Sequence, residues 1–265
     1  MPRYICKTCG VQRAKSPSPP PACPICDDAR QAIPAAWQGW ITPDRLVADH
    51  GTVFRQVAPG ITSLRTEPKI GIGQRVFLLQ TEAGNVLWDC LTLLDDATVS
   101  LIKGLGGLAA IAISHPHFHA AMARWGQVFD CPVLIHARDR EWVAAADPCL
   151  EFWEGETREA LPGIDLHRFG GHFPGSTVLH WRKRRALFTG DTIMVTPNQR
   201  HAVFQWSFPN DVPLHPDAVR SIAARTGTLD FETLYAGFEG REIIADAKEI
   251  VARSAGRHCN PPRYD

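Results

Sequence analysis

The sequence predicts a small cysteine-rich module followed by an α/β body in which mixed sheets are covered by helices. Three observations predict it. Four cysteines fall in two tight pairs, Cys6 with Cys9 and Cys23 with Cys26. From about residue 53, short apolar runs bounded by turns alternate with segments of helical spacing. The early runs read as hairpins and the later ones are separated by helices, which gives sheets with both antiparallel and parallel neighbours.

Length and composition allow this plan. The 265 residues suffice for a body of roughly 200 residues plus an appendage. Hydrophobic residues make up 45% and charged residues 21%, enough to bury a core. With 28 basic and 28 acidic side chains, no overall charge draws the chain to nucleic acid or an anionic membrane. No apolar run approaches the roughly 18–20 residues of a membrane span, and Met1-Pro2-Arg3-Tyr4-Ile5-Cys6 has no apolar secretory region. The expectation is a cytoplasmic protein that does not engage membranes. Its oligomeric state is left open.

Residues 1–30 form the expected module. Its two knuckles flank Ser16-Pro17-Ser18-Pro19-Pro20-Pro21, which cannot form a helix or a central strand. Residues 31–52, with Pro34, Trp37, Trp40 and Pro43, read as an irregular connector whose tryptophans pack against a neighbouring domain. The body takes 53–265. Residues 76–79 and 85–89 are strand-like around the turn at 82–84. Helical spacing follows over 96–105, a buried strand over 109–113, a helix over 119–129, a strand over 132–136 and a helix over 138–146. Residues 178–181 and 186–189 make a hairpin across the basic tip 182–185. Helices are expected over 216–225 and 241–254, with a short strand over 234–236 between them. Cys90, Cys131 and Cys149 read as core thiols and Cys259 as a tail thiol.

Two Cys-x2-Cys knuckles thirteen residues apart supply four thiolates from adjacent turns, the donor set of a structural zinc site. A redox dithiol would need one pair within a βαβ setting, which is missing. Tyr4-x-Cys6-x-x-Cys9-Gly10 and Cys23-Pro24-x-Cys26 resemble the knuckles of zinc ribbons and rubredoxins. The intervening loop is short for a rubredoxin, and Asp27 stands where that family has glycine. Zinc is therefore expected at Cys6, Cys9, Cys23 and Cys26, with iron as the alternative. A module this small needs the metal for its stability.

The second concentration of donors is Ser114-His115-Pro116-His117-Phe118-His119, at the end of a buried strand. Three imidazoles at alternate positions can converge on one cation. Two further segments look like ligand loops: Gly170-Gly171-His172-Phe173-Pro174-Gly175-Ser176, and Phe188-Thr189-Gly190-Asp191-Thr192. In this order, and after a strand that ends in Asp89, they resemble the metallo-β-lactamase superfamily over about residues 53–254. The resemblance implies an αββα sandwich of two mixed β-sheets flanked by helices, with a metal site at one edge.

It also implies roles. His115, His117 and His172 become metal ligands, with Asp191 as fourth ligand or bound through water. Three departures bear on the second metal of that family: His119 replaces an aspartate, Ala120 a histidine, and Phe238 follows Gly237 where the family has a final histidine. Methyl and phenyl groups cannot coordinate, so one ion is expected there, zinc with iron or manganese as alternatives. His119 is either a rescuing ligand or a packed side chain. The expected activity is hydrolysis of an ester, thioester, lactone, amide or phosphoester, with Asp191 and His119 handling protons and Asp89 supporting the ligand geometry. His201 is a candidate substrate contact, and Trp206, Phe208 and Pro209 are candidate pocket walls. Two other readings stand beside it: a metal-binding scaffold or sensor without turnover, and a nucleic-acid-binding protein or nuclease using the ribbon, which the neutral charge disfavours.

Overall fold

The computed structural model describes residues 1–261; the last four positions of the expected 53–265 body lie outside them. The chain divides into two compact units, residues 1–135 with 140–153, and residues 136–139 with 154 onward.

In the first unit, β1 (Arg3–Cys6) and β2 (Gln12–Lys15) form a hairpin, followed by α1 (Pro24–Asp27), β3 (Trp40–Ile41) and α2 (Pro43–Asp49). The segment expected to be irregular therefore carries structure. The outer edge of β1 has backbone groups that need partners, and β3 pairs with it through Ile5 with Ile41 and Cys6 with Trp40. Ile41 and Leu46 then pack on Ile5 and Leu93. Of the two connector tryptophans, Trp40 packs on the cysteine cluster, whereas Trp37 remains 76% exposed rather than packed.

The large sheet of this unit contains β4 (Gly51–Ala58), β5 (Ile61–Glu67), β6 (Arg75–Thr81), β7 (Gly84–Trp88), β8 (Ala110–Ala112), β9 (Val133–His136) and β10 (Leu150–Trp153). Its order is β10-β9-β8-β7-β6-β5-β4. Strands β4 to β7 run antiparallel, and β7, β8 and β9 are parallel. The parallel steps need crossovers, supplied by α3 (Asp96–Gly104) and α4 (Met122–Phe129). Asp95 caps α3 by accepting from the Thr98 N–H. Ile102 of α3 and Met122, Trp125 and Phe129 of α4 pack on Leu64, Val76, Leu78, Leu87, Ile111 and Val133. The side chains between these, such as Phe77, Leu79, Val86 and Trp88, are buried too, so β6 and β7 read as unbroken apolar runs.

Two expected helices differ here. The one at 119–129 begins only at Met122, because residues Pro116–Phe118 form a tight 3-10 turn and Ala120 is left-handed at φ +44°. The one at 138–146 is a short 3-10 helix, Ala137–Trp142. Asp139 is buried there, and its carboxylate takes the Gly175 N–H at 2.6 Å.

The second unit contains β11 (Thr157–Leu161), β12 (Ile164–Arg168), β13 (Thr177–Trp181), β14 (Ala186–Gly190), two small hairpins β15 (Met194–Val195) with β16 (Ala202–Val203) and β17 (Gln205–Ser207) with β18 (Val212–Pro213), then α5 (Pro216–Thr228), β19 (Thr233–Ala236), β20 (Glu242–Ile243) and α6 (Ala247–Cys259). The main sheet runs β11-β12-β13-β14-β19-β20, with β14 and β19 parallel. Val178, Leu187 and Leu234 meet Val219 and Ile222 of α5 and Val251 of α6. The helix expected at 241–254 starts later, because Glu242 and Ile243 pair with the edge of β19. The basic tip is held by ion pairs: Arg182 pairs with Asp165 and Glu159, and Arg185 with Asp230. Among the described residues, no helix is long and apolar enough to cross a membrane. With helices α3 to α6 on its two large mixed sheets, the chain has the α/β architecture expected of it.

Candidate metal centres

The four cysteines meet in the first unit. The turn after β1 closes with the Gly10 N–H on the Cys6 carbonyl, and Gly10 takes φ +82°, a left-handed value that glycine adopts without strain. Around α1, the N–H groups of Cys26 and Asp27 point at the Cys23 carbonyl. These turns leave all four thiols buried and close together, with ligand atoms within 4.8 Å of one another. Cys6 Sγ lies 3.6 Å from Cys26 Sγ, and Cys9 Sγ 3.6 Å from Cys23 Sγ. Four sulfurs bound about 2.3 Å from one zinc would stand about 3.8 Å apart, so the spacing fits a tetrahedral ion. None of these cysteines is in a disulfide. Protons are shared unequally: hydrogen bonds from Cys23, Cys26 and Cys9 hold Cys6 below the usual thiol range, and those from Cys23 and Cys6 push Cys26 above it.

The histidine loop lies in the same unit. It leaves β8, passes Ser114 and turns at Pro116–Phe118. Asp89 anchors it: at the end of β7, with φ +65°, its Oδ1 accepts the Ser114 N–H at 2.7 Å. Ser114 Oγ in turn lies 2.9 Å from His115 Nδ1. When Nδ1 donates to that hydroxyl, Nε2 carries the lone pair a metal would use. His115 and His117 stand edge to face with ring centroids 5.2 Å apart, and both are buried. Burial lowers the His115 pKa to about 3, with Arg30 adding to the effect. His119 is also pushed down to about 3, by burial and then by His115. The Trp142 backbone is near enough to oppose this without hydrogen-bond geometry, and neither His119 ring nitrogen has a hydrogen-bond partner among the described residues. Burial thus holds the His115 and His119 imidazoles neutral, the state in which an imidazole can ligate.

Sequence reasoning missed Gln31. Its amide nitrogen lies 3.0 Å from His117 Nε2 and 3.3 Å from Nδ1. A group near both nitrogens sits against the ring rather than on one lone pair. The residue follows the last cysteine by five positions in a stretch with no recognisable motif, so no local signal marks it.

In the second unit, Gly170 and Gly171 both take left-handed φ, +69° and +81°, and aim His172 inward. A Cβ on Gly171 would stand 3.1 Å from Leu214 and 3.2 Å from Ile222. His172 is fully buried, its Nδ1 lies 3.2 Å from the Gln205 carbonyl, and Phe208 stands T-shaped to its ring at 5.7 Å. The turn after β14 carries Asp191, held by the Thr192 N–H on the Thr189 carbonyl and Thr189 Oγ1 on the Ile193 carbonyl. Asp191 Oδ2 lies 3.9 Å from His172 Nε2, too far for a hydrogen bond. Two ligands about 2.0–2.1 Å from one ion stand roughly 3–4 Å apart. Burial raises the Asp191 pKa to about 6, opposed by His172. The Gly175 turn is pinned by Asp139, a second residue that sequence reasoning missed. Trp206 is half-buried and Pro209 exposed; the His201 N–H bonds Thr196 Oγ1.

Comparison with known proteins agrees with this architecture. No protein-family model matches the chain. The uncharacterized protein YmaE of Bacillus subtilis (strain 168) is 42% identical over 264 residues, covering 97% of this chain and 96% of its own. The probable metallo-hydrolase YybB of the same organism is 24% identical over 121 residues, 40% of this chain and 55% of that protein. Among solved structures, the DIM-1 metallo-β-lactamase superposes with a TM-score of 0.59 at 13% identity, covering 78% of this chain and 97% of its own. The FIM-1 metallo-β-lactamase of Pseudomonas aeruginosa, in a mono-zinc form, gives 0.57 at 14% identity over 79% and 97%. TTHA1623, in a di-iron-bound form, gives 0.52 at 21% identity over 70% and 96%. The chain belongs to the same family as YmaE, and its fold is that of the metallo-β-lactamase superfamily.

Proposed function

We propose that this chain is a metal-dependent hydrolase working with a single ion held by His115, His117 and His172, with Asp191 as fourth ligand or its partner through water. The observation that carries the reading is the buried His172–Asp191 pair, 3.9 Å apart at the spacing of two ligands on one ion, within a fold whose relatives include a probable metallo-hydrolase. Ala120 and Phe238 offer no donor atom where a second ion would need one, which favours one ion over two. Zinc suits the donor set at this site, with iron or manganese as alternatives, and at Cys6, Cys9, Cys23 and Cys26, with iron as the alternative. The ribbon-like module would span 1–30, the connector 31–52 and the hydrolase body 53–265, in a cytoplasmic protein.

Bound, the ion supplies Lewis acidity and brings the pKa of a water down toward about 7. The chain's own residues do the rest. Asp191 would orient the attacking water and take its proton. His119, kept neutral by burial, accepts the proton that Asp191 removed from the water and relays it to the leaving group, so that neither residue is left protonated when the scissile bond has broken. Asp89 fixes the direction of His115 through Ser114. His201 contacts the substrate, an ester, thioester, lactone, amide or phosphoester small enough to reach a site lined by Phe208. A second reading, a metal-binding scaffold or sensor, is favoured by the same missing donors at Ala120 and Phe238.

Elemental analysis and a hydrolysis panel test the proposal together. The dialysed wild type is expected to hold about two tight ions and to turn over one of the five substrate classes. His172→Ala is expected to lose one ion and at least about 100-fold in rate. An unchanged metal count in His172→Ala would overturn the ligand assignment. Full metal loading without turnover of any class would leave the scaffold reading in its place.

A further inference from the structure

The second unit holds a donor cluster that the proposed hydrolase chemistry does not use. Asp165 and His167 lie on β12 and His180 on β13, with Asp165 directly opposite His180. Alternation along β12 puts Asp165 and His167 on one face, and His180 shares it through the cross-strand pairing. This is the face that presents Val178, Leu187 and Leu234 to α5 and α6. Asp165 and His180 are buried and His167 is half-buried. One ligand atom from each residue lies within 4.8 Å of those of the other two. The two imidazole centroids are 6.2 Å apart. Two imidazoles bound at about 2.0–2.1 Å to one ion put their centroids roughly 5–6.5 Å apart.

Outer partners fix which nitrogen faces the centre. His180 Nε2 lies 2.8 Å from the Asp230 carbonyl. A carbonyl only accepts, so Nε2 carries the proton and Nδ1 the lone pair. His167 Nδ1 lies 3.2 Å from Thr157 Oγ1, and its buried Nε2 has no hydrogen-bond partner among the described residues. Metal-bound histidines are held in this way, one nitrogen on an outer acceptor and the other on the ion. The Asp165 oxygens take Arg182 Nη1 at 2.8 and 2.6 Å. A carboxylate offers about four lone-pair sites, so each oxygen retains one. Burial lowers the His167 pKa, Asp165 opposes this, and His180, Arg225 and Arg182 add to the lowering.

We propose that Asp165, His167 and His180 form a third metal site, taking a divalent transition ion of the zinc class. Arg182 competes for the same carboxylate, so the site binds more weakly than the four-cysteine site and exchanges its ion. The ion ties β12 to β13 and, through His180, to the loop at Asp230 that follows α5.

The test uses the full chain, dialysed until only tightly held ions remain, then titrated with Zn2+. A further, weaker equivalent is expected in the wild type, and the ring resonances of His167 and His180 should shift as it fills. His167→Asn and Asp165→Asn should each weaken that equivalent at least about tenfold and leave the tightly held ions in place. The ring-resonance measurement needs no substitution, so misfolding of a variant does not blunt the test. Rings that stay unmoved through the titration, or a His167→Asn titration that superimposes on the wild type, would overturn the site and leave Zn2+ uptake to scattered surface groups.

Discussion

Burial decides what single histidines can do in this protein. His115 and His119 have pKa values near 3 in the fold, against 6.5 for an ordinary imidazole. In the metal-free protein, the unfolded chain therefore takes up protons between pH 6.5 and 3 that the folded chain refuses, and stability falls as pH falls through that window. Asp191 acts in the opposite direction. Its folded pKa is about 6 against 3.8 unfolded, so its contribution grows as pH falls between those values. Two histidines outweigh one aspartate, and calorimetry on the chelated protein should show a melting temperature that drops from about pH 7 to about pH 4. A melting temperature that climbs on acidification would contradict the burial of these rings. Gly171 offers a second test. An alanine there meets both a left-handed φ of +81° and apolar atoms at 3.1 and 3.2 Å, so Gly171→Ala should cost about 1–3 kcal/mol, read from denaturant midpoints.

Among elements, the four-cysteine turn carries the sharpest expectation. It has few apolar residues of its own, chiefly Val11 and Ile25 beside the thiols. Cys23→Ser should therefore lose one tight ion and the β1–β3 pairing with it, visible as fast amide exchange at Ile5 and Ile41 against slow exchange in the wild type. How far elements could be read from sequence follows from what surrounds them. Strands β6 and β7 were legible because both faces are buried and the sequence is an unbroken apolar run. Strands β4 and β11 have no fully buried residue and interrupt their apolar positions with polar ones, and they carry no comparable signal. Helix α3 was legible from its helical spacing over 96–105, and the structure adds the Asp95 cap. The segment at 137–142 has helical composition, but it is drawn into a tighter coil by the buried Asp139 reaching Gly175, a contact between residues 36 apart. The candidate ligands themselves were legible because each sits in a short motif. Gln31, Ser114 and Gln205, which hold or touch those rings, were not, because their role comes from the fold and not from a local pattern.

The whole molecule keeps the overall plan the sequence implied, two mixed sheets with helices in a metallo-β-lactamase fold, and adds an intimate fit of the cysteine module to the first unit. The Gln12 N–H reaches the Ala120 carbonyl at 2.9 Å, Thr92 Oγ1 reaches the Gly10 carbonyl at 2.8 Å, and a Cβ on Gly71 would stand 2.9 Å from the Cys9 backbone. Leu93, with no exposed surface, rests on Ile5 and Leu46. Cutting the gene at codon 53 to harvest a minimal α/β body would thus strip the lining from a seam and not remove a detachable tag. The shortened polypeptide should precipitate on expression or melt well below its parent, and sedimentation after lysis would reveal which.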